Sequence, residues 1–291
     1  MNEQTISFSK IVIYGVGLIG GAIGLAVRKQ GLSNKVVGIG RSKAKFQKAV
    51  EIGAIDEGTT DVEKGLEDAD LVILALPVGE IINCLPAVAK AVKPGCIVTD
   101  TGSVKKTIVE AAKSCIPPDR FFLGSHPMAG SEKTGVENAG DVKLEKATCF
   151  VTLVQDTDRG TLAKLALFWK SLKMIPLLID PSRHDRYVSL FSHLPHLASA
   201  ALVQTCSEAP DDQNFLKQVC GSGFRDATRL AMGNANLWTD IIQTNAEYIL
   251  PDIDRLIRRL EELKAILSKK DAARLKAYLE EAKQSRQSFK E

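Results

Sequence analysis

The apolar run Ile11-Val12-Ile13-Tyr14 leads directly into Gly15-Val16-Gly17-Leu18-Ile19-Gly20, which opens an amphipathic stretch over residues 18–29. A strand that turns through G-x-G-x-x-G into a helix is narrowly constrained. The first glycine permits the tight turn, the second lets a pyrophosphate approach the backbone, and the third lets helix and strand pack closely. The helix N-terminus then offers unpaired N–H groups and a partial positive charge to the phosphates. A second strand over residues 35–39 follows at the βαβ spacing, the context that the bare motif requires. Gly15, Gly17, Leu18, Ile19 and Gly20 are therefore expected to bind a dinucleotide.

The rest of the first half keeps this rhythm. Leu71-Val72-Ile73-Leu74-Ala75-Leu76 is continuously apolar and ends at Pro77, and residues 96–100 and 121–123 read as further strands. Continuous apolar strands are expected where helices cover both sheet faces, so the fold class is α/β with a Rossmann-type, doubly wound parallel sheet. Strands over 148–154 and 174–179, around a helix over 161–172, are expected to complete that sheet. After about Asp180 long helical patterns take over, at 186–208, 211–220, 224–232 and 237–250. From Pro251 the residues Ile253, Leu256, Leu260, Leu263 and Leu267 approach a 3-4 heptad spacing. That helix reads equally as a solvated amphipathic element and as a subunit interface. With 291 residues, two domains are expected: a dinucleotide-binding Rossmann domain over 1–180 and an all-helical substrate and dimerisation domain over 181–291. Little length is left for a further fused domain.

The second strand bears on cofactor choice. An NAD enzyme usually places an acid about 20 residues past the motif, to bind the ribose 2′-hydroxyl. Here the sequence is Gly38-Ile39-Gly40-Arg41-Ser42, with no acid before Glu51. Arg41 is suited to a 2′-phosphate and Ser42 to a hydrogen bond with it, which favours NADP. Alternatively Arg41 only stacks on adenine and the cofactor is NAD. Leu76, Pro77 and Thr101, at the carboxyl ends of two strands, complete the expected cofactor set.

Charge excludes other classes. The 38 Lys and Arg residues balance 35 Asp and Glu residues to a net of +3, with no basic stripe for nucleic acid. No run approaches the roughly 20 apolar residues that cross a membrane. The start, Met1-Asn2-Glu3-Gln4, lacks a signal peptide's basic flank and apolar core, so a cytoplasmic protein is expected. The six cysteines form no C-x-x-C pair and read as reduced core residues.

His126, in Gly124-Ser125-His126-Pro127-Met128-Ala129-Gly130, follows a predicted strand. Ligands of such sheets bind outside the carboxyl ends of the strands, which would turn His126 toward the nicotinamide and make it a candidate base. A lone histidine there is also consistent with a structural role. Ser103, in Asp100-Thr101-Gly102-Ser103-Val104-Lys105, lies on the same rim, either in the chemistry or as the N-cap of the next helix. His193 and His196 form H-x-x-H, but no acid or cysteine stands near at ligand spacing, so no metal is expected. His184 reads as a local cap or pairing residue.

The motifs above, with Gly124 to Gly135, Ser192-His193-Leu194-Pro195-His196-Leu197-Ala198 and Gly223-Phe224-Arg225-Asp226-Ala227-Thr228-Arg229-Leu230-Ala231 before Trp238, resemble the prephenate/arogenate dehydrogenase family of tyrosine biosynthesis. The resemblance runs in order from about residue 10 to at least 250. It implies oxidative decarboxylation of prephenate, of arogenate, or of both, with hydride passing to a nicotinamide. It implies His126 as the histidine that takes the ring C4 hydroxyl proton and Ser103 as the serine that orients that hydroxyl. Ser192 and His196 resemble the family's polar pair on the substrate side, Arg229 the arginine that grips a substrate carboxylate, and Glu132 the acid at the pocket mouth. Asp226 and Trp238 match positions that shape the pocket near the subunit boundary, and a homodimer through the helical domain is implied. Two rivals remain. A β-hydroxyacid dehydrogenase would carry a catalytic lysine after a glycine-rich turn, where this chain has Gly221-Ser222-Gly223-Phe224-Arg225-Asp226. A non-catalytic NADP-binding sensor would lack at least one of Ser103, His126 and Arg229, and all three are present.

Overall fold

The computed structural model describes residues 6–130, 133–210 and 212–289. Six strands, β1 (Phe8–Tyr14), β2 (Ser33–Ile39), β3 (Glu57–Thr59), β4 (Leu71–Leu74), β5 (Ile97–Asp100) and β6 (Phe121–Phe122), form one sheet. Its order is β3-β2-β1-β4-β5-β6, and every pair is parallel. The chain order reverses between β1 and β4, and ligands of such sheets bind outside that switch point.

Side chains alternate across a strand, so β1 feeds two cores. Ile11 and Ile13 pack with Ile23, Phe168 and Trp169 on one face. Val12 packs with Leu74, Ile81, Leu85 and Ile108 on the other. Each such side chain contributes roughly 1.5–3 kcal/mol when fully buried. These two layers hold the carboxyl ends of the strands as a rigid rim.

The remaining strands do not join that sheet, contrary to the sequence expectation. Strands β7 (Ser125–Pro127), β8 (Thr148–Thr152) and β9 (Ile175–Ile179) form a separate three-stranded sheet in the order β7-β8-β9. β7 runs antiparallel to β8. The cause is a turn at Gly124. Leu123 N still donates to Val98 O at 3.0 Å, whereas Gly124 O already accepts from Thr152 N at 2.8 Å. A Cβ at Gly124 would stand 3.0 Å from Thr152 Oγ1 and 3.3 Å from Asp100 Oδ1, so a larger residue would crowd both where the chain changes sheets.

Helices follow from residue 181. Pro181–Val188 passes through a π-turn, Ser189–His193, into Leu194–Ser207. The uninterrupted helix expected over 186–208 is thus widened in the middle. Pro195 explains it: proline has no N–H to donate and its ring would collide with the carbonyl four residues earlier, and the wider turn relieves both. Gln213–Val219 and Ser222–Thr228 follow, then a 3-10 turn at Arg229–Met232. Ala235–Thr244, Ala246–Ser268 and Ala272–Ser288 complete the described chain. The break expected at Pro251 falls at Asn245 instead, and Pro251 lies within the early turns of Ala246–Ser268. Among the described residues no helix is long and apolar enough to cross a membrane.

Candidate active site

The carboxyl rim of the large sheet and the helices after residue 181 enclose a cleft of about 1070 Å³. Gly17, Leu18 and Ile19 line it. Gly17 is the N-cap position of the helix Leu18–Lys29, and no side chain caps that end. A Cβ added to Gly17 would meet nothing within 4 Å, so the space over the first-turn N–H groups is open. This is the cradle a pyrophosphate needs, and the residues present fit a dinucleotide. Gly15 and Gly20 do not line the cleft. Gly15 holds φ +100 with the Ala75 carbonyl where a Cβ would sit, and Gly20 packs on the Gly15 carbonyl. They shape the turn rather than touch the space.

Leu76, Pro77, Thr101 and Arg41 also border the cleft, and Ser42 does not. Ser42 stands at the N-cap position of the helix Lys43–Glu51 without a side-chain cap bond. The Arg41 guanidinium lies 3.4 Å from Glu80 Oε1. An acid does therefore stand beside Arg41, supplied by the helix after β4 rather than by the tip of β2. The opposite half reaches the same helix: Asp240 accepts from Gly79 N at 3.0 Å.

His126 lies within β7, opposite Phe150 of β8, and lines the cleft. Behind it is a buried polar chain. His126 Nδ1 is 2.9 Å from His184 Nε2, and His184 Nδ1 is 2.7 Å from Asp185 Oδ1. The Asp185 carboxylate also accepts from Lys105 N at 2.7 Å and from Lys106 N at 2.9 Å. The helix Lys106–Cys115 has no side-chain cap of its own, so Asp185, from the helix Pro181–Val188, serves as its cap. Ser103 is consequently not the N-cap that sequence allowed. It sits two residues before Lys105, the N-cap position, and faces the cleft.

Burial governs the titration of this group. It holds the His126 imidazole well below its ordinary range, helped by the neighbouring His184 and Lys105. His184 is lowered well below the usual value too, again mainly by burial. Burial raises Asp185, against the two backbone N–H donors that favour its charged form. Beneath the rim Lys105 and Asp100 form a fully buried ion pair. Lys105 Nζ also donates to Ser125 O at 2.8 Å, and Asp100 accepts from Gly102 N at 2.8 Å. This network fixes the turn that carries Thr101 and Ser103.

The helical half presents Ser192, His196, Arg229 and Trp238 to the same cleft. The His196 ring stacks on Trp238 with centroids 3.7 Å apart and planes 14° apart. Its Nδ1 is buried without a partner among the described residues, and burial lowers its pKa. His193, next to Ser192 in the π-turn, turns inward. Asn245, the cap position shared by the two flanking helices, donates from Nδ2 to Asp185 O and to His193 Nδ1, both at 3.0 Å. Asp226 is exposed on the helix Ser222–Thr228 and does not line the cleft of the single chain. Glu132 lies outside the described residues. Sequence reasoning missed Asp185, Asn245 and Glu80, and gave His184 only a local part. The adjacent pair His184-Asp185 was the available signal, but its partner is 58 residues away.

Comparisons with known proteins identify the family. Residues 23–175 match the family model "prephenate dehydrogenase, nucleotide-binding domain", and residues 180–281 match "prephenate dehydrogenase, dimerization domain". The Bacillus subtilis prephenate dehydrogenase is 32% identical over 277 residues, 95% of this chain and 75% of that protein. The A. aeolicus prephenate dehydrogenase, solved with hydroxyphenyl propionate and NAD+, superposes with a TM-score of 0.89 at 30% identity, covering 99% of this chain and all of that one. The Synechocystis arogenate dehydrogenase gives a TM-score of 0.80 at 31% identity, covering 97% of this chain and 100% of that one. With both halves matched in order and the cleft formed between them, the chain belongs to the prephenate dehydrogenase family.

Proposed function

We propose that this nicotinamide-dependent dehydrogenase oxidatively decarboxylates prephenate, arogenate or both in tyrosine biosynthesis, with His126 as the base and NADP as the favoured cofactor. One observation carries the reading. His126 lines a single cleft together with the dinucleotide turn and with Ser192, His196 and Arg229 of the helical half. Its neutral imidazole, kept so by burial, is in the form that accepts a proton.

Both substrates carry a ring carboxylate and a C4 hydroxyl. His126 takes the hydroxyl proton while Ser103 holds that oxygen in line. As the C–O bond gains double-bond character, the C4 hydrogen leaves with its electron pair. A bound oxidised nicotinamide would supply the acceptor for that hydride. The bond from the ring to its carboxylate then breaks, its electron pair enters the ring, and carbon dioxide departs. Aromatisation drives that step, and His126 returns its proton to the phenolate oxygen. Arg229 grips a carboxylate, for which its planar fork is suited. The His196–Trp238 stack forms an apolar, neutral wall for the ring.

Arg41 supports NADP use, as the cation beside the adenosine end of the cleft. Glu80 offsets it, because the same guanidinium pairs with its carboxylate. We place the enzyme in the cytoplasm, where its free cysteines stay reduced, and as a homodimer through the helical half, in line with the matched dimerization domain. The test is kcat/KM for prephenate and arogenate, each with NAD and NADP. Turnover with at least one of the two substrates is expected, with NADP preferred and the preference reduced in Arg41→Ala. No turnover with either substrate would overturn the assignment, and a clear NAD preference in the unaltered enzyme would overturn the cofactor reading.

A further inference from the structure

Hydrogen-bond capacity fixes the protons in the chain behind His126. An ionised carboxylate only accepts. Asp185 accepts from two backbone N–H groups at a helix N-terminus; these occupy its lone pairs and favour the ionised form against the rise that burial causes. His184 Nδ1 at 2.7 Å must therefore carry the hydrogen. A neutral imidazole has one N–H, so His184 Nε2 is left as an acceptor. The hydrogen in the 2.9 Å contact then belongs to His126 Nδ1. His126 Nε2, at the opposite edge of the ring and on the cleft side, is left with its lone pair free to take a proton.

We infer that His184 and Asp185 are positioning residues that set the tautomer of His126 and share the positive charge it gains during turnover. This rests on the reading of His126 as the base. Its physical need is plain, since a buried imidazole resists protonation. When Nε2 takes the substrate proton, the Nδ1 hydrogen of His126 can pass to His184 Nε2, so that one N–H bond breaks and another forms. The charge then lies beside the Asp185 carboxylate instead of alone in the wall. The return of a proton to the product oxygen reverses the shift, and no proton is lost to solvent. Phe150 shields the pair, its ring meeting that of His184 edge-on at 5.1 Å. Asn245 braces it by holding the Asp185 carbonyl.

Two substitutions at one position separate tautomer from bulk. His184→Leu removes the acceptor for His126 Nδ1 and leaves the Asp185 cap on the helix Lys106–Cys115. We expect kcat to fall on the order of 100-fold or more, with KM for substrate and cofactor within about three-fold, the pattern seen when a base is held in the wrong tautomer. His184→Gln places an amide oxygen where it can accept from His126 Nδ1, and is expected to recover at least about ten-fold of that loss. A direct readout needs no turnover: in the unaltered protein labelled with 15N-histidine, NMR should show His126 with its hydrogen on Nδ1 and a bare Nε2. In folded His184→Leu that preference should be lost. His126 carrying its hydrogen on Nε2 in the unaltered protein, or a folded His184→Leu that keeps kcat within about three-fold, would overturn the inference. Absence of turnover with prephenate and arogenate would instead overturn the functional reading, and the NMR measurement would still decide the tautomer.

Discussion

Arg229 and His126 carry separable parts of the proposed chemistry, and single substitutions should separate them. Arg229→Ala removes a charge-assisted bond worth about 1.5–3 kcal/mol, so KM should rise about 10- to 100-fold with kcat little changed. His126→Asn should lower kcat by at least about 100-fold with KM nearly unchanged, as loss of a general base does. A near-normal kcat in steady-state assays of His126→Asn would remove it as the base. All four histidines of the chain are buried, and that has a consequence for stability. Burial lowers each of them, His193 to about 4. In the unfolded chain each titrates near 6.5. Between the folded and unfolded values the unfolded chain binds more protons, so acidification favours unfolding. Stability is complete above about pH 6.5 and is lost as pH falls below it, at up to about 1.4 kcal/mol per pH unit for each histidine that stays neutral. Calorimetry should show Tm falling between about pH 6.5 and 5. A flat Tm across that window would mean that these imidazoles are protonated in the folded protein.

Elements show where sequence was legible and where it stopped. The β1 run, the glycine turn and the helix Leu18–Lys29 could be read directly, because local spacing encodes them. The departure of β7 from the large sheet could not, because it depends on a close approach of Gly124 to Thr152 and Asp100, which lie far off in sequence. The terminal heptads divide in the same way. Ile253, Leu256 and Leu263 are half-buried against their own subunit, one of the two readings the spacing left open. Leu250, Ile257, Leu260 and Leu267 of the same helix are exposed, and their spacing forms a second apolar stripe. In a symmetric dimer each such residue is buried twice, at roughly 1.5–3 kcal/mol per fully covered side chain. The double substitution Ile257→Glu and Leu260→Glu should therefore convert the dimer to a monomer by light scattering. An unaltered dimer would place the interface elsewhere.

At the scale of the whole molecule, the candidate site belongs to neither half. His126, Ser103 and the glycine turn come from the sheets, and Ser192, His196, Arg229 and Trp238 from the helices. Motif order made those residues legible one by one. Their convergence was not legible, nor were the groups that join the halves, since Asp185 to Lys105 and Asp240 to Gly79 span 80 and 161 residues. Asp185 shows what such economy entails. One carboxylate closes a helix end, spans the seam between the halves and holds the hydrogen of His184. Replacing it alters all three at once, so it leaves evolution almost no graded path. Arg41, Glu80 and the helical wall each serve one end of the cleft, so a change there leaves the seam intact, whereas a change at Asp185 does not.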